Sequence, residues 1–191
     1  MNQQKAQQIV DEIFALYEQF GSDDYIGEPV SQLEHMCQAA QLAAAENQDD
    51  EVILAAFFHD IGHLCEHIMT VGQMDGYGVV DHEILAANYL RQKGFSGKIV
   101  RLVESHVKAK RYLTYKYPNY YNNLSEASKI TLEMQGGKMN NTEAELFEQD
   151  HLHLLFIKLR QWDDMAKLQH QLLPSLEKFK EMAFYHLLKQ N

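Results

Sequence analysis

The run Val52-Ile53-Leu54-Ala55-Ala56-Phe57-Phe58 leaves this chain little choice of architecture. An apolar run of this kind has no face to offer water, so as a helix it must be covered on all sides. The chain supplies helices to cover it. Apolar residues recur at helical spacing over residues 7–20, where Ile9, Val10, Ile13, Phe14, Leu16, Tyr17 and Phe20 form one stripe. Similar stripes run over 31–46, 81–94, 96–110, 143–167 and 175–189. No region alternates apolar and polar residues with period two over several strands, and no internal repeat or low-complexity linker interrupts the chain. The expected fold class is all-α, one helical bundle with the helix of about 51–60 at its centre.

Punctuation supports these spans. Ser31 with Glu34 has the spacing of a capping box, as does Thr142 with Glu145. Asp49 or Asp50, Asp81, Ser96 and Ser125 stand where helix N-caps are needed. Gly21 and Gly94 close helices, and Pro174 introduces the last one, Ser175 to about Lys189. Residues 22–30, 65–78 and 134–142 read as loops, the second with room for a short helical turn. Residues 143–167 form one or two long helices.

Composition narrows the class. Against 27 acidic residues stand 17 basic ones, giving a formal charge of −10, which repels nucleic acid unless a local patch overrides it. The two cysteines, Cys37 and Cys65, suit a reducing compartment better than a disulfide scaffold. The first residues lack an apolar signal core, and no run approaches the length of a membrane span. A cytoplasmic location is expected, with no nucleic-acid partner and no membrane.

At the end of the apolar run His59 and Asp60 stand side by side. A buried carboxylate needs a cation or several donors, and imidazole with carboxylate suits iron, zinc or manganese. Adjacent residues point about 100° apart around a helix, so a shared metal must sit at a helix end or use a distorted turn. Further ligand types are His35, His82, His106 and Asp163. Any single histidine is more often a surface or hydrogen-bonded residue, and spacing alone leaves ligation open.

The succession of His35, then Ala-Ala-Phe-Phe-His-Asp-Ile-Gly-His (residues 55–63), then two later histidines and Asp163, resembles the HD-domain superfamily. The resemblance implies that His35, His59 and Asp163 hold one metal, His82 and His106 a second, and that Asp60 bridges them. It further implies a single HD-type domain over 1–191, with its core at about 25–167. The segments Asp24-Tyr25-Ile26-Gly27-Glu28, Gln32-Leu33-Glu34-His35, residues 74–79, 106–113 and 132–137 are similar to an oxygenase subgroup of that superfamily. Members of the subgroup use a mixed-valence pair of irons, Fe(II)/Fe(III), with O2 as co-substrate. They cleave the carbon–phosphorus bond of 2-amino-1-hydroxyethylphosphonate to glycine and phosphate. The implied partner is a small zwitterionic organophosphonate; oligomeric state is left open.

Roles for other residues follow. Lys110 lies four residues after His106 and shares its helix face; Arg160 lies three before Asp163; His63 is one turn beyond His59. These are assigned to the phosphonate, with Ser128 as a weaker hydroxyl donor. Lys108 and Arg111 lie off the His106 face and belong on the surface. Glu28 complements the substrate ammonium. Tyr25, in the same loop, is implied by the resemblance to occupy an iron position before substrate arrives, with Gly21 and Gly27 allowing the loop to move. Other readings are a metal-dependent phosphohydrolase using Tyr112, Tyr115, Tyr117, Tyr120 and Tyr121 against a nucleotide base, an oxygenase for an N-methylated substrate, and a binding-only HD domain. The last fits poorly, since no ligand is missing.

Overall fold

The computed structural model describes residues 1–25 and 27–190; Ile26, within one of the family-like segments, and Asn191 lie outside the described residues. Among the described residues the chain is all-α. Helices run over Gln3–Phe20 (α1), Gln32–Ala45 (α2), Asp50–Phe58 (α3), Ile61–Leu64 (α4), His82–Lys93 (α5), Gly97–Lys116 (α6), Pro118–Asn123 (α7), Glu126–Met134 (α8), Asn141–Glu148 (α9), His153–Met165 (α10) and Leu176–Lys189 (α11). A single 3-10 turn, Cys65–His67, follows α4. Among the described residues, extended structure is confined to two isolated bridges, Asp24 with Ser31 and Gln73 with Val79.

All seven residues from Val52 to Phe58 are buried. Helix α3 is enclosed by α2, α6, α10 and α11, the surroundings that its uniformly apolar sequence demands. Aromatic packing ties the outer helices to it. The Phe57 ring stacks on Tyr17 of α1 at 4.6 Å and on Phe179 of α11 at 4.2 Å between centroids. The Tyr17 hydroxyl donates to the Phe57 carbonyl at 3.3 Å, so the phenol is buried without an orphaned donor.

Caps at Ser31, Asp49, Ser96 and Ser125 each accept a bond from a backbone N–H of the first turn. Two caps differ from expectation: Asp81 precedes α5 in a left-handed conformation and its side chain accepts no cap hydrogen bond. The capping box of α9 is Asn140 with Glu143, not Thr142 with Glu145; both pairs have the required spacing, and Arg111, bonded to Glu143 at 2.8 Å, holds the earlier one. The 143–167 stretch is two helices, broken at residues 149–152, where Asp150 accepts the Leu152 N–H. Helix α6 runs past Lys110 to Lys116 and stops at Tyr117, just ahead of Pro118, the position that a proline disfavours for helix. No helix among the described residues is long and apolar enough to cross a membrane.

Candidate metal centre

Six ligand-type side chains converge from five helices. His35 comes from the first turns of α2, His106 from mid-α6, Asp163 from the end of α10. His59 and Asp60 follow the last residue of α3, and the helix breaks there: Asp60 has φ −106° and ψ 10°. That turn lets neighbouring residues aim at one point, which a continuous helix forbids. His82 opens α5 immediately after Asp81, a left-handed residue at φ 51°. Gly62 makes this junction possible: a Cβ there would lie 2.0 Å from the His82 carbonyl oxygen.

The donor atoms fall into two groups that share Asp60. His35 Nε2 and His59 Nε2 are 3.0 Å apart. Asp60 Oδ2 lies 3.4 and 3.3 Å from them, and Asp163 Oδ1 lies 3.5 Å from His35. His82 Nε2 and His106 Nε2 are also 3.0 Å apart, each 3.3 Å from the other oxygen of Asp60, Oδ1. One carboxylate therefore turns an oxygen to each histidine pair.

The facing nitrogens of His35 and His59 cannot satisfy each other. His35 Nδ1 donates to the Ala166 carbonyl at 2.9 Å, His59 Nδ1 to Ala56 at 2.8 Å and His106 Nδ1 to Val103 at 2.8 Å. A neutral ring that donates from Nδ1 presents a lone pair at Nε2, so two lone pairs converge between His35 and His59, and His106 turns one toward His82, whose own Nδ1 has no partner. Two nitrogens on one cation at about 2.1 Å and a right angle would stand about 3.0 Å apart. Asp60 Oδ1 and Asp163 Oδ1 are buried and have no hydrogen-bond partner. The donors thus fit two cations. His35, His59 and Asp163 form one ligand triad, and Asp60, His63 and His82 bring ligand atoms together in a second, which His106 joins at the distances above.

His63 differs from the other rings. It stacks on His82 at 4.2 Å, and its Nδ1 accepts the Val79 backbone N–H at 3.2 Å. Its neutral form therefore carries the proton on Nε2, as a donor rather than a ligand. Burial and the neighbouring His82 push its pKa down to about 3. Burial alone would raise the Asp60 pKa, but His59, His106 and His35 outweigh it and hold the carboxyl well below its ordinary range. Asp163 is likewise held down against burial, by Arg160 and His35.

The cavity beside the cluster is lined by Tyr25, Glu28, His63, Lys110, Ser128 and Arg160, all singled out in the sequence. Lys110 is 3% exposed and donates to Thr131 Oγ1 at 3.0 Å; burial, then the charge of Arg160, push its pKa down to about 7. Arg160 contacts Asp163 at 2.8 Å, pairs with Asp164 and donates from Nε to the Tyr120 hydroxyl at 3.1 Å. Most of its capacity thus braces Asp163. Tyr25 stacks on His35 at 4.0 Å; burial, then the charges of Asp60 and Asp163, raise its phenol pKa well above 10. Glu28 Oε1 accepts from Lys167 Nζ at 2.5 Å and from Ser125 Oγ at 2.6 Å. Ser128 is buried at the start of α8, close to Gly27, where a Cβ would meet that of Ala127 at 2.6 Å. Gly27 thus lies directly against α8.

Several cavity residues carried no signal in the sequence. Gln32 and Gln135 turn unpartnered amide oxygens inward, and Thr131 supports Lys110; isolated polar residues on helices have no pattern to mark them. The tyrosines considered for base stacking do not line the cavity. Tyr112 bonds Glu148, Tyr115 bonds Asn141, and Tyr117 and Tyr121 are exposed. Lys108 is on the surface beside Glu104, and Arg111 holds the Gly136–Gly137 loop through their carbonyls.

The HD domain family model matches residues 33–147. An uncharacterized protein of Acanthamoeba polyphaga mimivirus is 45% identical, covering 97% of this chain and 85% of its own. The [1-hydroxy-2-(trimethylamino)ethyl]phosphonate dioxygenase (glycine-betaine-forming) of Leisingera caerulea is 37% identical over 92% of this chain and 88% of its own. The hydroxymethylphosphonate dioxygenase of Gimesia maris is 39% identical over 89% and 84%. The matched span carries His35, His59, Asp60, His82 and His106, five of the six ligand-type residues of the cluster. The chain is an enzyme of the HD-domain family, grouped by sequence with the family's phosphonate dioxygenases.

Proposed function

We propose that the enzyme binds two irons, active as Fe(II)/Fe(III), and uses O2 to cleave the carbon–phosphorus bond of a small 1-hydroxyphosphonate. The observation that carries this reading is Asp60, with Oδ2 toward His35 and His59 and Oδ1 toward His82 and His106. Two histidines with one carboxylate, leaving other positions open, are a ligand set suited to iron that handles oxygen. The substrates named for two relatives, hydroxymethylphosphonate and a trimethylaminated hydroxyphosphonate, share this unit with 2-amino-1-hydroxyethylphosphonate. We further propose that residues 1–191 work as one unit.

His35, His59 and Asp163 would hold one iron, His82 and His106 the other, with Asp60 between them. The bound pair would supply oxygen activation and removal of the C1 hydrogen. The protein's share is binding, orientation and exclusion of water. The Lys110 ammonium, a buried cation on a cavity wall, binds the phosphonate; Ser128 and the His63 Nε2–H add neutral donors. Tyr25, stacked on His35, covers the reacting end. Arg160 fixes Asp163, its charge matched by Asp163 and Asp164.

The test is anaerobic loading with iron, followed by oxygen and a hydroxyphosphonate, with assay of phosphate and of the carbon product. Phosphate formed in step with oxygen consumption is expected. Release of phosphate from a nucleotide without oxygen would replace this reading with hydrolysis, a reaction for which none of Tyr112, Tyr115, Tyr117, Tyr120 and Tyr121 lines the cavity.

A further inference from the structure

The cavity beside the cluster is unbalanced in charge. Apart from Asp60 and Asp163, which face the cluster, one carboxylate lines it, Glu28. That carboxylate is already matched. Lys167, two residues beyond α10, reaches its Oε1 at 2.5 Å, and the two side chains are 15% and 8% exposed. Ser125 donates to the same oxygen at 2.6 Å. On the cationic side, Lys110 donates to a threonine hydroxyl and forms no ion pair among the described residues. Arg160 is matched by Asp163 and Asp164. The cavity therefore has an unmatched positive wall and no unmatched carboxylate outside the cluster.

A phosphonate suits this distribution; a phosphonate that also carries an ammonium does not. Its ammonium would have to displace a lysine from a largely buried carboxylate or stand beside that lysine as a like charge. Removing one partner of such a pair is costly, and an unpaired or like charge is an effective means of rejecting a ligand. Gln32 and Gln135 offer neutral amide oxygens, which suit a hydroxyl but do not balance a cation.

We infer that Lys167 sets specificity by occupying the cation seat at Glu28, restricting the enzyme to hydroxyphosphonates that carry no ammonium group. This rests on the hydroxyphosphonate reading above and narrows it, setting aside the aminated substrate expected from the sequence. It also gives Glu28 a different task, that of holding Lys167.

The test uses the full iron-loaded chain under anaerobic conditions. Binding of hydroxymethylphosphonate and of 2-amino-1-hydroxyethylphosphonate is measured by calorimetry, and turnover of each after oxygen is added. The wild type is expected to bind the amine-free compound at least about tenfold more tightly. Lys167→Met frees Glu28 and should shift the ratio toward the aminated compound by about tenfold or more, whereas Lys167→Arg should keep the wild-type preference. Equal or tighter wild-type binding of the aminated compound, or a ratio unmoved by Lys167→Met, overturns the inference even if both compounds are oxidised. The expected ratios without oxygen-dependent phosphate would uphold the specificity and overturn the oxygenase reading instead. If neither compound binds, both fall.

Discussion

In the half of the cluster that holds His35, His59 and Asp163, every group is braced. Both rings donate to backbone carbonyls, and Arg160 clamps Asp163 at 2.8 Å. In the half that holds His82 and His106, one ring is braced and the other is not. His106 donates to Val103, but His82 Nδ1 is buried without a hydrogen-bond partner, and Glu83 Oε2, also unpartnered, stands 3.7 Å away. Outer-shell partners orient ligands and raise metal affinity. The braced half is thus the better prepared to hold a metal, and the looser half, whose His82 and His106 line the cavity, faces the open space. The difference originates in the backbone: His35 and His106 lie within helices, while His82 opens one, after a left-handed residue and against Gly62.

The largest effect is expected where the halves meet. Asp60→Asn removes the shared charge, so loss of turnover should exceed the about 100-fold upper range for an outer-shell change. Iron retained after desalting should fall for both halves. Retention of one full iron per chain would show that Asp60 serves a single half.

Lys110 faces the open side. Its pKa is held down to about 7 by burial first and then Arg160, so its ammonium is present below that pH and lost above it. Phosphonate affinity should therefore fall as pH rises through about 7, and Lys110→Met should weaken binding by about 10- to 100-fold and flatten the profile. Folding stability has the opposite sign. An unfolded lysine keeps its proton up to about 10.4, so between about 7 and 10 the unfolded chain binds more protons and this group favours the fold increasingly as pH rises. Calorimetric titrations across pH on both proteins, paired with denaturant melts, read the two signs separately.

Gly62→Ala presses a methyl group on the His82 carbonyl. Overpacking of this kind costs about 1–3 kcal/mol. A lower Tm is expected, with the metal of the His82 half lost before that of the His35 half. Equal loss from both halves would mean that the junction supports the whole cluster. The smallest change is Glu83→Gln, predicted to alter metal affinity in the looser half by about tenfold and to leave the braced half untouched. Stepwise chelator competition resolves the two.

The same contrast marks what could be read from the sequence. The central helix was legible because seven apolar residues admit one environment. His59 and Asp60 stood out as two ligand types at the end of such a helix, but their spacing left ligation open and the family resemblance carried the assignment. The Glu28–Lys167 pair was not, because its partners are 139 residues apart in the chain and neither lies in a periodic pattern. The α9 cap was ambiguous because Asn140 and Thr142 each have a glutamate three residues on. The bracing of His35 by Ala166 was invisible, since a backbone carbonyl carries no residue-type signal.

Asp60 is proposed to join two metal positions of unequal hold. Electron paramagnetic resonance of the anaerobically iron-loaded, partly oxidised protein, with iron content measured on the same sample, tests it most directly. Two irons per chain are predicted, giving the signal of a coupled Fe(II)/Fe(III) pair that changes on addition of a hydroxyphosphonate and disappears in Asp60→Asn. One iron per chain, or two that show no coupling, would contradict the account.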